Sequence, residues 1–152
     1  MENLIDLTQY LPHREPFLLV DKITSLNKDG VITVFYISPD CIFVNEQHLN
    51  EFGLIENAAQ NCSAMISQMD KFIDQTDVEH YSDMVGYIST IKKIAVHQLP
   101  KEDTVITTHS RLISSTHLGN SYLLNLSVAI YNENKDLLFE AEMVLFIQDN
   151  KS

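Results

Sequence analysis

A histidine and a carboxylate that lie far apart along the chain are the two side chains best suited to do chemistry. His13 lies in residues 11–21, which read Leu-Pro-His-Arg-Glu-Pro-Phe-Leu-Leu-Val-Asp. Pro12 and Pro16 fix their own φ angles and bias the preceding residues toward extended backbone, so the imidazole has little freedom. Glu56 lies in residues 53–60, Gly-Leu-Ile-Glu-Asn-Ala-Ala-Gln, among apolar and small residues.

These two residue types suit the two ends of a proton transfer. An imidazole titrates near neutral pH and can take a proton from carbon. A carboxyl group among apolar side chains such as Leu54, Ile55 and Ala59 is easier to keep protonated, so Glu56 is suited to give one. Gln60 lies one helical turn further on and can hold that carboxyl by a hydrogen bond. The alternatives are a loop histidine that caps backbone, a solvated glutamate and a polar glutamine at a subunit contact.

The hydrophobic pattern predicts a helix that carries Glu56. Asn50 is a suitable N-cap. From there to Lys71, apolar residues recur at steps of three and four residues, which is helical spacing. The residues expected on the buried face are Phe52, Ile55, Ala59, Cys62, Ile66 and Met69. Ala58, Ser63 and Ala64 are small and would let another backbone approach closely. The polar stretch 70–83 that follows is predicted to be a loop.

The remaining patterns predict strands. A β-branched and aromatic run at 31–38 follows an Asp-Gly turn signal and ends at a proline. Four strand-like runs follow the helix, at 84–98, 104–115, 122–130 and 139–147, and the last two alternate strictly between apolar and polar residues. A turn is expected at 118–120 and a hairpin loop at 132–136. Strand, long helix and four antiparallel strands indicate an α+β fold.

Composition limits the class of protein. The 152 residues fit one domain, 1–152, which at this size buries roughly 70% of its unfolded surface. A net charge of −11 with only ten Lys and Arg argues against nucleic-acid binding. Two cysteines cannot form a disulfide framework, and neither a leader nor an apolar span is visible. We therefore expect a cytoplasmic protein that does not enter the membrane.

Residues 11–21 resemble the segment that carries the catalytic histidine in the hotdog-fold 3-hydroxyacyl-acyl-carrier-protein dehydratases. The resemblance implies a curved antiparallel sheet wrapped around one long central helix. It also implies dehydration of a carrier-bound 3-hydroxyacyl thioester to the trans-2-enoyl thioester, in fatty-acid or polyene-type lipid and pigment synthesis. His13 would be the base and Glu56 the acid. In this family the two come from adjacent subunits, which implies a homodimer, a dimer-based oligomer or a heterodimer with a homologue.

The segment before the helix departs from the housekeeping enzymes. Those enzymes carry Gly-His-Phe-Pro-Gly and then a Pro-Gly pair five residues before the acid, which supplies a backbone donor to the thioester. Here residues 44–53 contain no proline, and Glu51 stands in place of that glycine. The chain is more similar to the divergent aryl-polyene and flexirubin-type dehydratases, which keep a glycine close before the acid. We therefore expect the donor to come from Gly53 or a neighbouring residue, and we expect Gly53, Phe17 and Gln60 to bind substrate.

The resemblance implies an acyl carrier protein as partner and no cofactor. Carrier proteins are acidic, so docking needs basic residues. The candidates are Lys92 and Lys93 with Arg14 or Arg111, whose alternative role is that of ordinary solvated charges. The other histidines show no paired ligand spacing, so no metal site is predicted. A hotdog acyl thioesterase and a non-catalytic carrier-binding subunit of a dehydratase heterodimer remain alternative functions.

Overall fold

A computed structural model of the chain describes residues 7–66 and 84–149, which form a six-stranded antiparallel sheet and a helix packed on it. The predicted loop at 70–83 lies outside the described residues. The helices are α1 (Leu7–Tyr10) and α2 (Glu51–Ser63). The strands are β1 (Lys22–Asn27), β2 (Gly30–Tyr36), β3 (Val44–Asn45), β4 (His48–Leu49), β5 (Met84–Val96), β6 (Val105–Leu118), β7 (Ser121–Tyr131) and β8 (Leu137–Asp149).

The large sheet has the strand order β1-β2-β6-β7-β8-β5, so β1 and β5 are its edges. Strands β3 and β4 form a separate small hairpin just before α2. The predicted alternation is confirmed in β7 and β8, where apolar side chains on the helix side are almost fully buried. These core residues are Leu124, Leu126, Val128, Ile130, Phe139, Ala141, Met143, Leu145 and Ile147. The predicted α+β class is thus confirmed, and the core lies between α2 and the sheet.

Strand β1 was not predicted from the sequence. It pairs with β2 through a tight turn at Lys28 and Asp29, with Asn27 paired to Gly30. Only Ile23 among its residues is fully buried, so an edge strand of this kind carries little hydrophobic pattern. Gly30 is required here because a Cβ would clash with the backbone carbonyl oxygen of Ser110 on the neighbouring β6.

Helix α2 begins where the capping signal predicted. The side chain of Asn50 accepts a hydrogen bond from the N–H of Gly53 at 2.9 Å, which confirms Asn50 as the N-cap. The predicted buried face is wrong in part, because Phe52 is 71% exposed. Cys62 is buried as predicted, and the other buried residues of α2 are Gly53, Leu54, Asn57, Ala58, Gln60 and Asn61.

Polar side chains on the buried face of α2 explain that difference. Asn57 accepts a hydrogen bond from the hydroxyl of Thr108 on β6. Asn61 donates to the hydroxyl of Thr33 on β2 at 2.9 Å and to the carbonyl of Thr108 at 3.0 Å. Buried amides are tolerated when they are hydrogen-bonded, and these bonds fix the rotation of the helix on the sheet. A pattern based on hydrophobicity cannot recognise such a face.

Two further observations concern the helices. Cys62 of α2 is fully buried, and burial raises the pKa of its thiol to about 12. Within residues 7–66 and 84–149, neither helix is long and apolar enough to cross a membrane.

Candidate active site

The segment that carries His13 follows the short helix α1. The N–H of Leu11 donates to the carbonyl of Leu7, and the buried Leu11 and Leu19 anchor the segment at both ends. Between them the carbonyl of Arg14 accepts from the N–H groups of Phe17, at 2.9 Å, and Leu18, at 3.1 Å. The prolines leave the segment few backbone alternatives, so a tight turn presents the imidazole.

His13 and Glu56 lie side by side. The Nε2 atom of His13 is 3.9 Å from Oε1 of Glu56, and the two side chains are 28% and 39% exposed. Nδ1 of His13 is buried and has no hydrogen-bond partner among the described residues. Nε2 is the nitrogen that faces the carboxyl group.

The pairing within a single chain differs from the expectation that His13 of one subunit meets Glu56 of another. The physical reason lies in the segment after His13, which is bound directly to the helix that carries Glu56. Asn57 and Gln60 of α2 hydrogen-bond the backbone of Phe17 and Leu19. These bonds hold the two segments together without a partner chain.

The apolar enclosure predicted around Glu56 is only partly present. Leu54 is fully buried on the other side of the helix, while Ile55 and Ala59 are partly buried neighbours. The Glu56 side chain is 39% exposed. This chain alone therefore leaves one side of Glu56 open.

Gln60 holds the carboxyl as predicted. Its Nε2 donates to Oε1 of Glu56 at 2.9 Å. The same amide also binds the carbonyl of Phe17 and the N–H of Leu19, both at 2.8 Å, and the side chain is fully buried. Both N–H donors of the amide are in use and its oxygen accepts from Leu19, so the buried Gln60 acts through Glu56.

Gly53 has a structural role that differs from the expected one. Its N–H is used by the Asn50 cap, so this donor is not free for a ligand. A Cβ at this position would lie 2.6 Å from Cδ1 of Leu49 and 2.9 Å from Cβ of Phe43. The glycine is therefore explained by close packing of α2 against the segment that precedes it.

The other predicted residues surround the site or lie away from it. The side chain of Phe17 is 60% exposed. Arg14 is exposed beside His13 and donates from Nη1 to the carbonyls of Leu11 and His13. Lys93 is 3.3 Å from Glu142 on the neighbouring strand, so its charge is already paired. Arg14 is thus a basic residue next to the candidate site.

Asn57 is a residue of the site that the sequence interpretation missed. It is buried, and its Nδ2 donates to the carbonyl of Leu19 at 2.7 Å while its Oδ1 accepts from Thr108. An amide directly after Glu56 on the predicted helix is a weak signal that could have indicated it. Over residues 7–66 and 84–149, no group of three or more His, Cys, Asp or Glu could hold a metal ion.

Comparison with solved structures places this geometry in a known fold. The chain is similar to the dehydratase heterocomplex ApeI:P from Xenorhabdus doucetiae, with a TM-score of 0.75 and 17% identity over 97% of this chain and 93% of that chain. It is also similar to a hypothetical thioesterase from Streptococcus pneumoniae in complex with coenzyme A (TM-score 0.64, 14% identity, 86% and 88% covered). The PaaI protein of Escherichia coli matches with a TM-score of 0.60 at 9% identity, covering 81% and 79%.

The fold and the paired histidine and glutamate define a hotdog-fold protein with a candidate acid–base site. A search of curated proteins gives no sequence match. The family model of ApeP-like proteins, described as ApeP dehydratase, matches residues 5–85. That match covers more than half of the 152 residues, so the chain belongs to the ApeP-like dehydratase family.

Proposed function

We propose that this chain dehydrates a 3-hydroxyacyl thioester, bound to an acyl carrier protein, to the trans-2-enoyl thioester. The observation that carries the proposal is the 3.9 Å approach of His13 Nε2 to Glu56 Oε1 in a member of a dehydratase family. Elimination of water needs a base for the α-proton and an acid for the departing hydroxyl. An imidazole and a carboxylic acid on the same side of a bound substrate supply both.

Each residue has a defined part in the proposed step. Nε2 of His13 takes the α-proton, and the electron pair of the C–H bond moves toward the thioester carbonyl. Glu56 donates its proton to the β-hydroxyl, which leaves as water as the C–O bond breaks. The resulting C–C double bond and the water account for all atoms of the substrate.

Negative charge on the thioester oxygen needs a donor other than Gly53. The first N–H groups of a helix have no intrahelical acceptor, and Asn50 occupies that of Gly53. The N–H groups of Glu51 and Phe52 remain, with no acceptor among the described residues. A backbone N–H is present whatever the side chain. Glu51, which replaces the glycine five residues before the acid in the housekeeping enzymes, can therefore still offer its N–H to the thioester oxygen.

The proposed partner is an acyl carrier protein whose pantetheine arm carries the acyl chain. This chain is itself acidic, with a net charge of −11. Docking of an acidic carrier therefore requires a local positive charge, and the exposed Arg14 beside His13 offers one.

A second hotdog chain is the other partner that we infer. Phe52, Ile55 and Ala59 follow one stripe of α2 that this chain covers only in part. The outer edge of β5 has no neighbouring strand in the described sheet, and open edges of this kind can pair with another chain. Both features support a homodimer or a heterodimer that covers the open side of Glu56.

Hydrolysis of an acyl thioester is the second candidate. The Glu56 side chain is 39% exposed, so its carboxylate is accessible to water and can activate it.

One assay separates these functions. The purified protein, alone and with any chain that co-purifies, is given a 3-hydroxyacyl thioester and its trans-2-enoyl partner, and enoyl absorbance and free thiol are followed separately. Reversible hydration without thiol supports the proposal. Thiol release indicates a thioesterase, and neither signal indicates a non-catalytic subunit.

A further inference from the structure

The side-chain amide of Gln60 has a fixed orientation. Its Oε1 accepts from the N–H of Leu19, and its two Nε2 hydrogens go to the carbonyl of Phe17 and to Oε1 of Glu56. If the oxygen and nitrogen of the amide were exchanged, Nε2 would face the N–H of Leu19. The oxygen would then face the carbonyl of Phe17 and Oε1 of Glu56, which are both acceptors. The backbone partners alone therefore assign the amide, and Nε2 is the atom that faces Glu56.

This orientation makes the two oxygens of Glu56 different. Oε1 faces an N–H of Gln60 and must act as an acceptor whether the carboxyl is charged or neutral. The hydroxyl oxygen of a carboxylic acid is a weaker acceptor than its carbonyl oxygen, so the hydrogen bond from Gln60 is stronger when Oε1 is the carbonyl oxygen. This hydrogen bond therefore favours a proton on Oε2 over one on Oε1.

Gln60 also connects the acid to the base. The turn that presents His13 is closed by the N–H of Phe17, which donates to the carbonyl of Arg14 at 2.9 Å. The carbonyl of the same Phe17 accepts from Gln60 at 2.8 Å. One buried amide thus binds the turn beside His13 and the carboxyl of Glu56 at the same time.

We propose that Gln60 is a positioning residue that directs the proton of Glu56 to Oε2 and sets the distance between Glu56 and His13. This inference rests on the proposed dehydration, in which Oε2 is then the oxygen that protonates the departing hydroxyl. Of the described Lys, Arg and His residues, His13 is the one whose side chain lies within 4.0 Å of the Glu56 carboxyl. His13 and Gln60 are therefore the groups whose change should alter its titration.

Asn57 offers a matched control on the same helix. It is equally buried and anchors the same segment through the carbonyl of Leu19, at 2.7 Å. Its other partner is Thr108, and it makes no hydrogen bond to the Glu56 side chain. Asn57→Leu should therefore loosen the segment without removing the donor to Glu56.

The first readout requires no turnover. The Cδ resonance of Glu56 is followed by NMR over pH in ¹³C-glutamate-labelled protein, with assignment by Glu56→Gln. Gln60→Met removes the N–H that favours the charged form of the Glu56 carboxyl. The midpoint of the Glu56 resonance should therefore move to higher pH. Gln60→Glu places a second carboxyl against Oε1 and should move the midpoint by about one pH unit or more. Asn57→Leu loosens the segment that carries His13 but keeps the donor to Glu56, so its midpoint should move by less than in either Gln60 variant.

The second readout is the pH profile of kcat/KM for dehydration. The part of the profile that reports loss of the Glu56 proton should move to higher pH in Gln60→Glu. In Gln60→Met, kcat/KM should fall about tenfold or more. Unchanged Glu56 midpoints in both Gln60 variants, checked as folded by circular dichroism, overturn the proposal whatever the activity. An equal shift in Asn57→Leu overturns it as well. Shifted midpoints in a protein without dehydratase activity leave the role of Gln60 intact and instead contradict the proposed function.

Discussion

His13 and Glu56 of the same chain meet at 3.9 Å, between Nε2 and Oε1. The contact joins a proline-bounded turn to a long helix, and the amides of Asn57 and Gln60 hold the two elements together. Each chain therefore contains both halves of the proposed acid–base pair. This arrangement makes a direct prediction about mixed assemblies.

Mixing two inactive variants should not restore activity. If His13→Ala and Glu56→Ala chains are co-expressed with different tags and isolated as mixed assemblies, each chain lacks one member of its own pair. Enoyl hydration by the mixed assembly should stay at the level of either variant alone. As a control, wild type paired with the double variant should retain about half the activity per assembly. Recovery in the first mixture would show that the pair works across two chains.

Glu56→Gln should abolish most of the activity without unfolding the protein. The amide oxygen can still accept from Gln60 at the position of Oε1, but it cannot give a proton to the substrate. General acid catalysis contributes on the order of 10²- to 10⁴-fold, so kcat for enoyl hydration should fall by that range. The melting temperature should change little. Glu51→Gln on the exposed first turn of the same helix is the control, and an equal loss in that variant would contradict the assignment.

Gly53→Ala should lower the free energy of unfolding although alanine favours helices. The new methyl group would lie 2.6 Å from Cδ1 of Leu49, and overpacking of this kind costs roughly 1–3 kcal/mol. The gain in helix propensity is at most about 1 kcal/mol. Urea unfolding measures the net effect. Glu51→Ala, at an exposed site of the same turn, should change stability by less. A stabilised Gly53→Ala would show that packing does not require the glycine.

Arg14→Ala should raise KM for the carrier-bound substrate more than KM for the same acyl group on a small pantetheine thioester. Arg14 is exposed beside His13, and an acidic carrier would gain from its charge while a small thioester would not. Steady-state kinetics with both substrates measures the difference. Arg111→Ala, an exposed arginine on β6, is the control. An equal rise for both substrates would argue against carrier docking at Arg14.

The buried Cys62 should make the fold less stable above pH 9. Burial raises the pKa of its thiol from 9.0 to about 12, so the unfolded chain loses this proton before the folded chain does. The free energy of unfolding should therefore fall as pH rises between about 9 and 12, by roughly 1 kcal/mol per pH unit from this group. Urea midpoints of wild type and Cys62→Ala at pH 8 and pH 10 isolate the effect. Parallel pH dependence in both proteins would contradict it.

The sequence predicted the features that follow from periodicity and from strong local signals. Asn50 begins the helix, Leu124 and Phe139 belong to alternating strands, and Gln60 reaches Glu56. The rest depends on long-range contacts that no local pattern encodes. The buried face of α2 includes Asn57, whose burial is possible only because partners from other segments complete its hydrogen bonds. Strand β1 is defined by its pairing with β2 and not by its own composition.

The spacing of Glu56, Asn57 and Gln60 on one helix limits how the length of this segment can vary. Each residue of an α-helix turns the chain by about 100°, so a single inserted or deleted residue between Glu56 and Gln60 would rotate one of them off the shared face. The loop at 132–136 connects two strands at the surface and bears no such constraint. Among related chains, insertions and deletions should therefore gather at that hairpin and be absent from residues 56–60.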